Sequence, residues 1–391
     1  MLLLIRNPAV RLLFVGQALY WSCSIIGITL TSLVGARLSP WPVLATLPLA
    51  LLVLGNLIAV QPLSIYMQRR GRRPGLVRGA LCGVAGGLVC MAGVLAGSFG
   101  LFCTGSLLIG AYQASVAYYR YAALEAVAAA QKGRAAACVV GGGVCAALLA
   151  PPLALWSRDA LATPFAGAYL AIAVLAAFAM LLMSRLREGP VPPPAGGGLA
   201  ALRTLLARPG LRAAVAMTAI GHGSMILAMN ATPLAMDVCG LSAASAARVI
   251  QWHVLGMFVP SFFAGALVDR WKSRRVAVLG AAALAVSATI ALSGVTPERF
   301  LLSSLLLGVG WNLMIIAGTT LLAESHEPAE RGHAQALMEL GNGSVAALMS
   351  LGSGALLAGA GWSAINALIL PALALAMLGL WRTGRPVAVQ A

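Results

Sequence analysis

Residues 38–68 read LSPWPVLATLPLALLVLGNLIAVQPLSIYMQ, a stretch without Asp, Glu, Lys or Arg, and the chain then turns on Arg69-Arg70-Gly71-Arg72-Arg73. A helix rises about 1.5 Å per residue, so roughly 20 apolar residues cross the hydrocarbon of a bilayer. A long uncharged stretch closed by clustered bases reads as a spanning helix that ends on the cytoplasmic side. The same alternation runs along the whole chain. Uncharged stretches cover 12–36, 38–68, 79–119, 135–157, 160–184, 213–236, 249–268, 276–297, 300–323 and 340–381. Two of them, 79–119 and 340–381, are about twice the needed length. Each carries a turn signal, Gly97-Ser98-Phe99-Gly100 in one and Gly359-Ala360-Gly361-Trp362 in the other. Dividing both predicts an all-α membrane protein of twelve transmembrane helices. A β-barrel would instead alternate in segments of about ten residues.

Composition agrees. Of 391 residues, 60% are hydrophobic and 9% charged, whereas a soluble domain carries about 25% charge. The net charge of +16 would suggest nucleic acid on a soluble protein. Here the bases sit in short clusters between apolar runs, so the expected partner is the lipid bilayer and not nucleic acid. With the N-terminus inside, 21 of the 26 basic residues fall on cytoplasmic segments, which places both termini in the cytoplasm. Met1–Arg11 reads as a short leader into the first span, because Arg6 and Arg11 interrupt the apolar start. Seven cysteines show no ligand-like spacing, so neither a metal site nor a disulfide framework is expected, and no cofactor.

The two halves repeat. Pro8 and Arg11 match Pro209 and Arg212 at an offset of 201, and Gln68-Arg69-Arg70-Gly71-Arg72-Arg73 matches Asp269-Arg270-Trp271-Lys272-Ser273-Arg274 at the same offset. Glu125 with Lys132-Gly133-Arg134 matches Glu324 with Arg331-Gly332-His333 at 199. Between the halves, Glu188–Gly198 is rich in Pro and Gly, a break in helix pattern. The predicted division is an N-terminal six-helix bundle over 1–184, a cytoplasmic linker over 185–210 and a C-terminal six-helix bundle over 211–391. Leu199–Leu206 reads as a short amphipathic helix with Arg203 toward water. Parallel repeats about an axis along the membrane normal suit alternating access.

The loops at 64–73 and 265–275 resemble those of the major facilitator superfamily, whose loop runs roughly Gly-x-Leu-x-Asp-Arg-x-Gly-Arg-Lys/Arg. The second copy keeps Gly265, Leu267, Asp269, Arg270 and Arg274, with Lys272 at the second glycine; the first keeps Arg69, Gly71, Arg72 and Arg73, with Gln68 replacing the acid. The resemblance covers essentially the whole chain. It implies a secondary transporter whose cytoplasmic gate holds these loops together with Glu125 and Glu324. Asp269 would then face the N-terminal end of the fifth helix near Ala135, or simply cap its own helix corner. Gln251–Phe263 and Gly310-Trp311-Asn312 are similar to a bacterial branch of that family that includes riboflavin importers. The antiporter pattern Gly-Pro-x-x-Gly-Gly is not met by Gly141-Gly142-Gly143 and Pro151-Pro152.

Polar groups are costly in hydrocarbon, so those within spans are candidate functional residues. His222 lies near mid-depth and titrates near neutral pH in its ordinary state. It is either a proton-coupling or substrate group, or a packing residue between Gly221 and Gly223. Gln17, Tyr20 and Trp21 share a helix face and form a candidate cavity wall, unless Tyr20 and Trp21 belong to an interfacial belt. Asn56, Tyr112, Gln113, Asn230, Gln251, His253, Trp311 and Asn312 complete the candidate cavity. Asn230 and Thr232 near Pro233 either line an unwound segment or satisfy the carbonyl that the proline frees. Glu339 serves as a second proton-coupling candidate or as a gate residue.

The expected function is secondary active transport of a small organic solute across a bacterial inner membrane. Proton-coupled import of a partly aromatic, riboflavin-like metabolite by a monomer leads. Drug or metabolite efflux by proton antiport is one alternative, and a non-transporting scaffold or sensor is another. No zinc-protease motif, phosphate cradle or paired catalytic acids point to an enzyme.

Overall fold

The backbone N–H and C=O groups of a segment in hydrocarbon find no water, so they must pair within the segment, and an apolar run folds as a helix. A computed structural model describes residues 6–41, 44, 47–188 and 198–382, and the described residues form helices and short connections without a strand. Of the predicted linker, residues 189–197 lie outside this description, as does Arg385. The first half holds α1 (Pro8–Leu38), α2 (Leu47–Arg70), α3 (Arg72–Leu95), α4 (Phe99–Val116), α5 (Tyr119–Glu125), α6 (Lys132–Val140), α7 (Gly143–Arg158) and α8 (Ala166–Ser184). The second holds α9 (Gly198–Ala207), α10 (Pro209–Val238), α11 (Ala243–Phe258), α12 (Ser261–Trp271), α13 (Ser273–Leu292), α14 (Pro297–Ala323) and α15 (Arg331–Arg382).

Among the described residues eleven helical segments are long and apolar enough to cross a bilayer. The last runs over Pro328–Arg382, and a straight helix of that length would span about 80 Å, far beyond the hydrocarbon. It does not run straight. Gly361 has φ 78° and ψ 175° inside it, within the turn predicted at 359–362. The other predicted turn separates α3 from α4, with Gly97 at φ +61° and Ser98 accepting from the Leu101 amide to start α4. Helix α10 stays helical through Pro233, and Thr232 donates to Ala228 O at 2.8 Å.

The chain divides into two compact units, Met1–Ala128 with Cys138–Pro194, and Ala129–Ala137 with Ala195–Ala391. In the first, α3 packs on α4 and α8, α2 on α4, and α1 on α7 and α8. In the second, α10 packs on α14 and α15, α13 on α14 and α15, and α11 on α14. Residues 129–137 therefore belong with the second unit, although their sequence lies in the first half.

The repeat extends to packing detail. With little hydrophobic drive between helices in lipid, close approach depends on small side chains. A Cβ on Gly110 would strike Leu52 O, and one on Gly308 would strike His253 O. Leu52 and His253 are again 201 apart, so the α2–α4 and α11–α14 crossings are equivalent. Helix starts agree as well. Asn7 Oδ1 accepts from the Ala9 amide to cap α1, and its Nδ2 donates to Ala126 O at 3.0 Å. At the matching position Arg208 donates to Ser325 O at 3.4 Å and pairs with Glu330 at 2.6 and 2.8 Å. Single 3₁₀ turns at Ala129–Gln131 and Pro328–Glu330 precede α6 and α15. Helix α9 exposes Arg203 and buries Leu205.

Candidate substrate site

Two aromatic and polar groupings form, one in each unit. In the first, α1 carries Gln17, Tyr20 and Trp21 on one face, and α4 carries Tyr112 and Gln113. Tyr20 meets Tyr112 edge-on at 5.4 Å and Trp21 at 5.8 Å between ring centroids, geometries that match the ring quadrupoles. Tyr20 and Tyr112 are buried, while Gln17, Trp21, Gln113 and Asn56 keep partial exposure. The structure thus brings three predicted aromatics together and leaves amides beside partly open surface.

In the second unit, α10 supplies His222 and α14 supplies Trp311. Gly221 lets α10 approach Met314 of α14, and Gly223 lets it approach Val345 of α15. The Trp311 indole N–H donates to His222 Nδ1 at 2.8 Å, and Phe258 stands edge-on to Trp311 at 6.4 Å. Trp311 is buried and His222 half-buried. A ring nitrogen that accepts carries no proton, so the neutral His222 has its hydrogen on Nε2. Adding a proton makes both nitrogens donors, and the Trp311 N–H then loses its acceptor. A buried donor without a partner costs about 1–3 kcal/mol. Protonation and the local packing of α10 against α14 are therefore linked.

The other candidates fall in different surroundings. His253 is buried, with Nδ1 on Ser304 O at 2.9 Å, which assigns the hydrogen to Nδ1 because a carbonyl only accepts. Asn312 is fully buried and donates to Met257 O and Ser261 Oγ, both at 2.6 Å. Both therefore bond the helix packing of α11, α12 and α14. Asn230 donates to Ser350 Oγ at 3.0 Å near the surface, and Gln251 is exposed. Glu339 is half-buried on α15. Among the described residues no three His, Cys, Asp or Glu side chains converge as a metal ion would need.

The helix corners hold the charges. Arg72, 5% exposed, pairs with Glu125 through two bonds of 2.6 and 3.1 Å, a fork geometry that strengthens charge-assisted bonding. Its guanidinium also lies over Tyr118. Glu188 accepts from the Arg73 amide, so a carboxylate occupies the positive N-terminal end of α3. Burial raises the Glu188 carboxyl above the ordinary glutamate range, and the Arg73 and Arg72 amides oppose that rise. At the equivalent corner of the second unit, Ser273 Oγ donates to Glu324 at 3.1 Å. Asp269 accepts from the Gly133 amide at 3.1 Å and pairs with Arg134 at 3.1 Å, at the start of α6. Gly265 has no side chain because the backbone of Gly133 and Arg134 lies against it. Arg274 donates to Leu380 O, whereas Arg69 and Arg270 are exposed. Sequence reasoning did not find Glu188 and Glu330. Both lie outside the uncharged runs, and Glu330 has Gln131 at its repeat position.

Known proteins are similar to this chain in sequence and in architecture. The family model for the Major Facilitator Superfamily matches residues 224–390. A riboflavin transporter of Brucella anthropi, RfnT, is 38% identical over 373 residues, 94% of this chain and 94% of that protein. An uncharacterised MFS-type transporter of Bacillus subtilis, YdeG, is 28% identical, covering 80% of this chain and 77% of its own. A bacterial homologue of the iron transporter ferroportin superposes with a TM-score of 0.76 at 14% identity, over 96% of this chain and 99% of its own. FucP, a transporter solved in the outward conformation, superposes with a TM-score of 0.75 at 15% identity, over 96% and 98%. An alignment at 38% identity that runs nearly end to end with a transporter, joined to the family-model match and to eleven apolar helices among the described residues, makes this chain a multi-pass membrane transporter of the major facilitator superfamily.

Proposed function

We propose that the protein is a proton-coupled importer of a flat, partly aromatic, neutral or weakly anionic metabolite of the riboflavin class. Its twelve spans form two six-helix bundles, 1–184 and 211–391, joined by the linker 185–210, and both termini lie in the cytoplasm of a bacterium. It acts in the inner membrane as a monomer by alternating access. One observation carries the coupling: the Trp311 N–H bonded to His222 Nδ1. Proton uptake at that nitrogen frees an aromatic side chain in the half-buried zone of the second unit, so proton and ring-shaped solute act on the same pair. The likeness to the riboflavin transporter RfnT supports the substrate class. Within the first unit, Tyr20 and Trp21 supply ring faces and edges for a tricyclic solute, and Gln17, Gln113 and Asn56 supply amides for its hydroxyl and imide groups. Glu339 on α15 is a second proton site.

Purified protein in proteoliposomes tests this reading. Uptake of riboflavin should rise when the outside is made acidic relative to the lumen and fall when the gradient is collapsed. Uptake driven only by the opposite gradient would indicate antiport instead, and no movement under any gradient would indicate a scaffold. His222→Gln, which keeps a polar group of similar size, should retain assembly and substrate binding but lose about tenfold or more of the gradient-driven rate, as general acid–base groups do. An unchanged pH profile would remove His222 from the coupling.

A further inference from the structure

Two recesses on the surface of the first unit meet at Arg185. One, of about 740 Å³, is lined by Arg73, Arg187 and Glu188 together with Arg185. The other, of about 400 Å³, is bordered by Val15 and Leu19 of α1 and Phe178, Leu181 and Leu182 of α8, with Arg185 at its end. On α8 the spacing 178, 181, 182, 185 holds one helix face, so the apolar groove leads directly to the guanidinium just past the helix end at Ser184. Phe178 and Leu181 are more than half exposed. Helix α8 is a spanning segment that ends at Ser184, so Arg185 sits where hydrocarbon gives way to headgroups. Glu188 already serves the Arg73 amide. The guanidiniums of Arg73, Arg185 and Arg187 have no carboxylate partner among the described residues.

We propose that the two recesses are one binding site for a single anionic glycerophospholipid. The phosphate sits against Arg73, Arg185 and Arg187, and an acyl chain lies in the groove between α1 and α8. Three unpaired guanidiniums select net negative charge, because a choline or ethanolamine group would add a cation to a basic recess. A soluble phosphate would leave the apolar half unused. The bound lipid ties the ends of α1 and α8 to the start of α3, beside the Arg72–Glu125 pair, and so stiffens the corner from which the linker departs.

Native mass spectrometry of the delipidated full-length protein tests the site. Phosphatidylglycerol and phosphatidylcholine of identical acyl chains are titrated separately, and glycerol 3-phosphate provides the headgroup without a chain. Wild-type protein should retain phosphatidylglycerol severalfold more than phosphatidylcholine and glycerol 3-phosphate hardly at all. Arg185→Gln should weaken phosphatidylglycerol retention about fivefold, the worth of one basic side chain at an anionic surface. Leu181→Trp, which fills the groove and leaves every arginine in place, should weaken it similarly. Arg275→Gln, an exposed base of the second unit, should leave it unchanged. Equal retention of the two lipids overturns the proposal, as does equal loss in Arg275→Gln, which would mean diffuse charge. Strong binding of glycerol 3-phosphate that Leu181→Trp does not alter overturns it in favour of a soluble anion site.

Discussion

The corner between α2 and α3 and the corner between α12 and α13 have nearly the same backbone and very different chemistry. Gly71 has φ 96° and ψ 168°, and Lys272, its repeat partner, has φ 72° and ψ 151°. This region suits glycine alone, and a side chain there stores strain of about 1–3 kcal/mol. The next residue in each corner reaches an equivalent glutamate, but Arg72 makes two charge-assisted bonds to Glu125 while Ser273 makes one neutral-donor bond to Glu324. The two corners therefore share one backbone geometry under different side chains. The corner shape is what the helix packing requires, and each unit stabilises it with different groups.

The largest way to break the comparison is to remove the guanidinium. Arg72→Gln leaves Glu125 without its buried partner, and breaking one side of a buried pair costs about 3–5 kcal/mol. Glu125 is about a third exposed, so water recovers part of that, and a loss near 2 kcal/mol is expected. Ser273→Ala removes one neutral-donor bond and should cost about 1 kcal/mol. Denaturant titration of both variants in micelles checks the order. Equal losses would mean that the Arg72–Glu125 pair adds nothing beyond a single hydrogen bond.

That asymmetry bears on what a sequence can disclose. The spans were legible because hydrocarbon thickness fixes their length and because Gly97 and Gly361 mark the breaks in the two doubled runs. The repeat was legible because Pro8 and Pro209, Arg69 and Arg270, and Glu125 and Glu324 stand at helix ends, where few residue types serve. The contact of Asp269 with the start of α6 was legible only through the family resemblance, which set it near Ala135. The Gly265 cleft that seats the Gly133 and Arg134 backbone was not legible, since it joins residues far apart in the chain. Polar residues within spans were only half legible. Asn312 and His253 read as cavity groups, yet here they bond Met257 O and Ser304 O of neighbouring helices. Hydropathy cannot separate an amide that faces a cavity from one that binds a neighbouring backbone, because both are equally polar.

A second pair of substitutions exchanges the corner residues in opposite directions. Gly71→Ala places a side chain in a glycine-only conformation and drives its Cβ into the Glu188 carboxylate. It should cost about 1–3 kcal/mol and displace Glu188 from the start of α3. Lys272→Gly relieves the strain but adds freedom to the unfolded chain, which takes back roughly 0.5–1 kcal/mol. A net gain of about 1 kcal/mol is expected. If Lys272→Gly destabilises the protein instead, the lysine side chain holds its corner through the Glu324 charge more strongly than the backbone opposes it.

The smallest effect lies in the pH dependence of Glu324. Desolvation raises its carboxyl above the ordinary glutamate range, against the opposing pull of the Ser273 hydroxyl and of the Lys272 and Lys132 ammonium groups. A carboxyl whose folded value is raised favours the fold while it is protonated, and that advantage is lost as pH climbs through the folded value. Glu324→Gln cannot ionise. The variant and the wild type should therefore unfold alike in acid, and the variant should gain on the wild type as pH rises above about 5. Glu125 faces a guanidinium in place of a hydroxyl, so Glu125→Gln should be the weaker protein at neutral pH, opposite in sign to Glu324→Gln. Melting both variants across the same pH series reads the two corners against each other. A Glu324→Gln curve that falls below the wild type at neutral pH would mean that Ser273, Lys272 and Lys132 together already outweigh the cost of desolvating the charge.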